Sequence, residues 1–324
     1  MNQPVKNQNR YSIERLFSGG RMINRRINDK ETSTTGFEDL YPFEANFLDI
    51  NGHKLHYVDQ GEGSPIVMVH GNPTWSFYYR NLIKALSKTN RTIVPDHIGC
   101  GFSDKPRPGE YEYTLENRVD NLDTLINALN LTGKISLIVH DWGGMIGLAW
   151  AIDNLDRVDK IVITNTSGFF LPETKRFPPA LWMIKYLKWF AVPAVLGANI
   201  FAGGALYLGS ENRLAPEVKK GLIAPYNSWK NRIATLKFVQ DIPITPEDRS
   251  YSIVERVDRR LTRLKQDKLM FLWGTRDFVF DVNFLNEFQR RFPETRAHVF
   301  HDAGHYLFED KPRETLDLIK SFLV

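Results

Sequence analysis

The sequence predicts an α/β protein: a mostly parallel sheet with helices on both faces, interrupted by an inserted helical cap. Three observations carry this expectation. Apolar runs alternate with helix-period segments from Ile66 to Thr164, the pattern of parallel strands joined by crossover helices. The alternation stops over residues 168–240, which are helical in period, aromatic and Pro-rich. It resumes at Leu269-Met270-Phe271-Leu272-Trp273 and ends in a helix over 312–323. Residues 1–40 are then a polar, basic extension, 41–167 and 241–324 the two parts of one core, and 168–240 the cap.

The elements follow in order. Residues 1–40 carry Arg25-Arg26 and Thr32-Ser33-Thr34-Thr35-Gly36, a composition expected to be partly disordered. Within them Ile13, Leu16, Phe17, Ile23 and Ile27 make a short amphipathic pattern, which either lies on a membrane or partner or packs on the host domain. Phe47 to Ile50 and Lys54 to Val58 flank Asn51-Gly52, the signature of a tight hairpin. Strands follow at 66–69, 91–95, 135–139 and 160–164, with helices at 77–87, near 114–130 and at 144–153. In the cap, Trp189 to Ser210 carries no charge and is long enough to span a bilayer. Pro193, Asn199 and four glycines interrupt it, and such residues disfavour one continuous helix. Two short helices lining an apolar pocket are expected there, with a cap that touches a membrane or partner as the alternative.

The stretch Val139-His140-Asp141-Trp142-Gly143 points to the chemistry. It follows an apolar strand and precedes a small-residue helix start, the context of a nucleophile elbow. Asp141 stands where hydrolases of this architecture place their nucleophile. A carboxylate nucleophile attacks carbon and becomes an ester, so substrates with an electrophilic sp³ carbon are expected. Upstream, Ile66 to Val69 runs into His70-Gly71-Asn72-Pro73. Backbone donors from Asn72 and Trp142 then form an oxyanion hole. Downstream, Asp277 follows the strand at 269–273, and His305 follows His298-Val299-Phe300 in a Gly-His loop. The order nucleophile, acid, histidine is that of the α/β-hydrolase fold. Asp277 is preferred to Asp281 because it lies closer to the strand end. His305 is preferred to His298 and His301, which lie inside and at the end of a strand. The strand at 160–164 ends in Asn165-Thr166-Ser167, so no carboxylate is offered there.

Composition narrows the class. The chain has 324 residues, 42% of them hydrophobic, and a formal net charge of +4. That length is ample for one core plus an insertion. The mild charge makes no case for nucleic acid. The single cysteine, Cys100, excludes an intramolecular disulfide and suits a reducing compartment. The N-terminus lacks the apolar stretch of a secretory signal. A cytoplasmic location is expected. No phosphate-binding glycine motif and no metal-ligand spacing occurs, so neither cofactor nor metal is expected.

Three long motifs resemble the haloalkane dehalogenases: His70 to Arg80, Pro95 to Pro106, and Val139 to Gly143. The resemblance spans about residues 45–324. Several details resemble a branch within that superfamily, the β-lactone decarboxylases of bacterial olefin biosynthesis: Gly144 after Asp-Trp-Gly, Ala224 to Thr235 closing the cap, and Phe278-Val279-Phe280-Asp281 after Asp277. This resemblance implies that Asp141 opens a cis-3,4-dialkyl oxetan-2-one, with the Trp142 indole and the Asn72 amide facing the developing anion, and that CO₂ loss gives a long-chain cis-olefin. It also implies assembly with the pathway's thiolase and β-lactone synthetase. A haloalkane dehalogenase, using Asp277 and His305 to hydrolyse the ester, is the alternative. An epoxide hydrolase is the third; it needs cap acids, for which Tyr186, Tyr207 and Tyr226 are the candidates.

Overall fold

The computed structural model describes residues 22–24 and 33–323. Of the amphipathic pattern, Ile13, Leu16, Phe17 and Ile27 lie outside the described residues. Among the described residues nine strands form one sheet in the order β1-β2-β3-β5-β4-β6-β7-β8-β9. The first three are antiparallel: β1 (Met22–Asn24), β2 (Asn46–Ile50) and β3 (His53–Gln60). The β2–β3 turn uses Asn51 and Gly52 at φ 53° and 83°, the left-handed region that Asn and Gly tolerate best. The other six run parallel to one another: β4 (Pro65–Val69), β5 (Arg91–Pro95), β6 (Ile135–Asp141), β7 (Val158–Thr166), β8 (Leu269–Gly274) and β9 (Arg296–Phe300).

Helices cover both faces. These are α1 (Arg80–Leu86), α2 (Leu115–Ala128) and α3 (Trp142–Asp153), then after the cap α9 (Tyr251–Arg260), α10 (Val282–Arg291), α11 (Leu307–Asp310) and α12 (Pro312–Leu323). Two apolar clusters fill the space on either side of the sheet, one around Val139, Ile163 and Phe271, the other around Ile138, Val162 and Leu272. Consecutive strand residues therefore go to opposite cores. That explains why the central strands read as unbroken apolar runs.

The cap comprises α4 (Pro179–Tyr186), α5 (Lys188–Ala191), a π-helical turn at Val192–Gly197, α6 (Ile200–Leu208), α7 (Pro216–Ile223) and α8 (Ile233–Gln240). The uncharged stretch is broken where expected. Asn199 takes φ 53°, and the segments Lys188–Gly197 and Ile200–Leu208 meet at 71°. Among the described residues no single helix is long and apolar enough to cross a membrane.

The structure differs from the sequence expectation in three places. The basic extension contributes β1 to the sheet, and its residue Phe37 is buried against Trp75 and Phe77, beside Tyr41 of the core. An edge strand, β2, supplies the unpaired backbone groups that order β1. Strand β6 runs two residues further than expected, to Asp141, and α3 begins at once with Trp142. Helices α9 and α10 were not anticipated; their charged outer faces mask a narrow apolar stripe, Ile253, Val254 and Val257 in α9.

Candidate active site

The site lies at the carboxyl ends of β4, β6, β8 and β9, the edge where open parallel sheets bind ligands. Asp141 is the last residue of β6 and holds φ 53° and ψ −130°, a strained conformation for any residue but glycine. The strain lifts its carboxylate out of the sheet. Close approach by Gly71 completes the turn, since a Cβ there would collide with the Asp141 carboxylate. Gly144 is required for a related reason: a Cβ would overlap the Thr166 side chain, which donates to the Asp141 carbonyl. The Gly144 singled out in the sequence is thus a packing requirement of Thr166.

The Asp141 carboxylate is buried and well supplied with donors. The Asn72 backbone N–H donates to its Oδ1 at 2.5 Å, and the Trp142 backbone N–H also bonds it. Burial pushes its pKa up to about 6, against the lowering influence of His305 and the two backbone donors. His305 Nε2 stands 3.7 Å from Asp141 Oδ2. Its Nδ1 donates to Asp277 Oδ2 at 2.7 Å. Burial alone would lower the His305 pKa, but the Asp277 and Asp141 carboxylates outweigh it and raise it to about 8.

Asp277 is fixed in turn. Its Oδ1 accepts from the Val279 and Phe280 N–H groups at 2.7 and 3.1 Å. The rival carboxylate, Asp281, caps α10 and pairs with Lys175. His298 lies on β9 and His301 directly follows it; the His301 carbonyl accepts from Arg276 Nε, and burial and the Arg296 charge lower the His298 pKa.

Asn165 carries a role that sequence reasoning missed. It sits at φ 34° near the end of β7. Its Nδ2 donates to Asp277 Oδ2 at 3.1 Å and to the Gly274 carbonyl at 2.9 Å, and its Oδ1 accepts from Gly274 N–H at 2.9 Å. The clue available in the sequence was its position, the strand end where some relatives of this fold carry the acid. Asn165→Ala removes the side-chain partner of the buried Gly274 N–H and carbonyl, at about 1–3 kcal/mol for each group left unpaired, while Asp277 keeps its bonds from His305, Val279 and Phe280. Urea unfolding is expected to show a lower midpoint with an unchanged slope, and a midpoint equal to wild type would refute the role.

The proposed anion donors are only partly free. Asn72 donates one side-chain N–H to the Thr235 carbonyl of α8 at 3.0 Å, which fixes the amide and leaves its second N–H. The Trp142 ring packs on Phe238 at 5.3 Å and lines the cavity. Behind them Arg118 is buried, its guanidinium 3.7 Å from the Phe238 ring centre. The cavity above Asp141 measures about 280 Å³. Its walls are almost wholly apolar, with Phe169, Leu181 and Ile184 on one side and Phe201, Ala205 and Leu208 on another. Of the uncharged cap stretch, α6 and the following Gly209 line it; α5 and the π turn do not. Among the described residues no cluster of three metal-ligating side chains occurs.

The α/β hydrolase fold model matches residues 64–312. The chain belongs to the α/β hydrolase family. Within this family it is 47% identical over 287 residues to a cis-3-alkyl-4-alkyloxetan-2-one decarboxylase of Shewanella oneidensis, covering 88% of this chain and 90% of that protein. It is 42% identical to the protein of that name from Xanthomonas campestris, covering 87% and 97%. A haloalkane dehalogenase of Mycolicibacterium paratuberculosis is more distant, at 32% identity over 90% of this chain and 97% of its own. Among solved structures, the haloalkane dehalogenase DatA of Agrobacterium tumefaciens superposes with a TM-score of 0.77 at 26% identity, covering 86% of this chain and 96% of that one.

Proposed function

We propose that this family member opens a cis-3,4-dialkyl oxetan-2-one and decarboxylates it to a cis-olefin. The observation that carries the reading is a buried, ionisable Asp141 facing a cavity with apolar walls, in a chain 47% and 42% identical to two proteins named for that reaction. Asp141 attacks the sp³ carbon that bears the ring oxygen. The carbon–oxygen bond breaks, and its electrons make the released carboxylate. The Trp142 indole N–H and the free Asn72 amide N–H stabilise that charge as it forms. Backside attack leaves the new Asp141–carbon bond antiperiplanar to the bond holding the carboxylate. The electrons of that second bond then form the double bond, CO₂ departs, and Asp141 leaves as carboxylate. Inversion followed by anti elimination keeps the two alkyl groups cis.

Dehalogenation shares the first step and has its own support, since His305 stands in reach of the Asp141 ester. Epoxide opening has less: Tyr186 and Tyr207 are exposed, Tyr226 is buried against the Thr74 carbonyl, and none of the three lines the cavity. With one cysteine, Cys100, buried and its thiol pushed up to about 11 by burial, the protein suits a reducing cytoplasm, which we include in the proposal.

The test gives the enzyme a cis-β-lactone with two alkyl chains and, separately, a 1-bromoalkane. Olefin, alcohol and halide are measured by gas chromatography and ion analysis. Olefin with CO₂ from the lactone is expected. Halide and alcohol without any olefin would overturn the reading.

A further inference from the structure

Helix α6 has the sequence Ile-Phe-Ala-Gly-Gly-Ala-Leu-Tyr-Leu, yet only Ala202 of its residues is buried. Tyr207 and Leu208 are 71% and 66% exposed, and in the preceding segment Trp189 is 77% exposed. A protein surface seldom leaves so much apolar area to water unless something covers it. Four exposed apolar residues, Leu171, Ile200, Leu208 and Phe278, also line the active-site cavity. The cavity therefore opens through this apolar rim.

Charge singles out the same part of the molecule. Residues 168–240 contain ten Lys and Arg against three Glu, a net charge of +7 where the whole chain carries +4. The remainder of the chain is thus net negative. Lys175 and Lys185 pair with Asp281 and Asp248 outside the cap. Eight cations still face three carboxylates. Lys188 opens α5 beside Trp189, and the Lys219 ammonium lies 4.2 Å from the Tyr207 ring centre.

We propose that the cap docks on an anionic lipid surface through α6 and Trp189, with the cavity mouth open to the acyl chains. The chemistry matches on each count. Trp and Tyr favour the bilayer interface, an apolar helix face enters the headgroup boundary, and Lys and Arg near the surface add electrostatic attraction. The 71° bend keeps the uncharged segment from forming one long helix, so the cap lies on the surface and does not span it. Docking stands on this surface alone. Its use, passing a substrate with two alkyl chains from membrane to cavity, rests on the function proposed above.

Sedimentation with vesicles tests it. The full chain carrying Asp141→Asn is mixed with vesicles of phosphatidylcholine alone or of phosphatidylcholine with phosphatidylglycerol. The inactive variant separates this test from the outcome of the lactone assay. Binding to the anionic vesicles is expected, weakened by added salt and by removal of phosphatidylglycerol. Trp189→Glu with Tyr207→Glu, neither of which lines the cavity, is expected to lower binding about tenfold or more, with an unchanged thermal midpoint confirming the fold. Absence of binding to both vesicle types would overturn the proposal. So would binding that the double substitution leaves intact, which would mean charge alone. A dimer in light scattering that the same substitutions dissociate would assign the face to a second copy of the chain instead.

Discussion

Asp141→Asn is expected to lower kcat/KM for a dialkyl β-lactone by roughly 10⁴-fold or more, the scale seen when a catalytic nucleophile is removed. An amide has nearly the shape of the carboxylate, and Asn is among the residues that tolerate positive φ, so the elbow at φ 53° should survive. What is lost is the nucleophile itself. The wild-type enzyme should also titrate in a specific direction. Burial raises the Asp141 pKa to about 6, so below that pH the group is protonated and cannot attack. The rate constant kcat/KM should therefore rise with pH through about 6. A flat profile between pH 5 and 7, both on the order of the raised carboxylate value, would mean that another group opens the ring. Residual olefin formation by Asp141→Asn at a wild-type rate would mean the same.

Much of this site was legible because its parts are local. The elbow is five consecutive residues, and the triad lies at the ends of strands that are apolar on both sides. Buried parallel strands such as β6, every residue of which is buried, announce themselves in any sequence. The order Asp141, Asp277, His305 then assigned the partners without coordinates. What escaped depends on contacts between distant segments. Asn165 reads as an ordinary strand-end residue until β8 is placed beside β7, because its partners Gly274 and Asp277 lie more than a hundred residues away. The engagement of Asn72 by the Thr235 carbonyl depends in the same way on how the cap folds back. Phe37 reads as part of a polar tail, and only the aromatic cluster with Trp75 and Phe77 draws it in. Strand β1 has no propensity signal of its own; the open edge of β2 creates it.

His305→Gln separates the two chemistries that share Asp141. In the hydrolytic route, water must attack the Asp141 ester, and the imidazole held by Asp277 at 2.7 Å is the base within reach. In the decarboxylative route the carboxylate left by ring opening expels CO₂ and frees Asp141, so no water and no base is needed. With a 1-bromoalkane, His305→Gln should release about one equivalent of halide per enzyme and stop, with the alkyl mass retained on the peptide that contains Asp141. With the lactone it should continue to turn over. The rate at neutral pH should nevertheless fall, for an electrostatic reason. The His305 cation is the strongest influence lowering the Asp141 pKa against its burial. A neutral glutamine removes that influence, so the pH midpoint of lactone turnover should move above about 6 while the plateau at higher pH is largely kept. A variant that loses lactone turnover at every pH, and holds an ester on Asp141, would mean that water completes the reaction after all. The shift in midpoint and the trapped alkyl group read the same residue in two capacities, as the charge that keeps the nucleophile ionised and as the base that only the hydrolytic route requires.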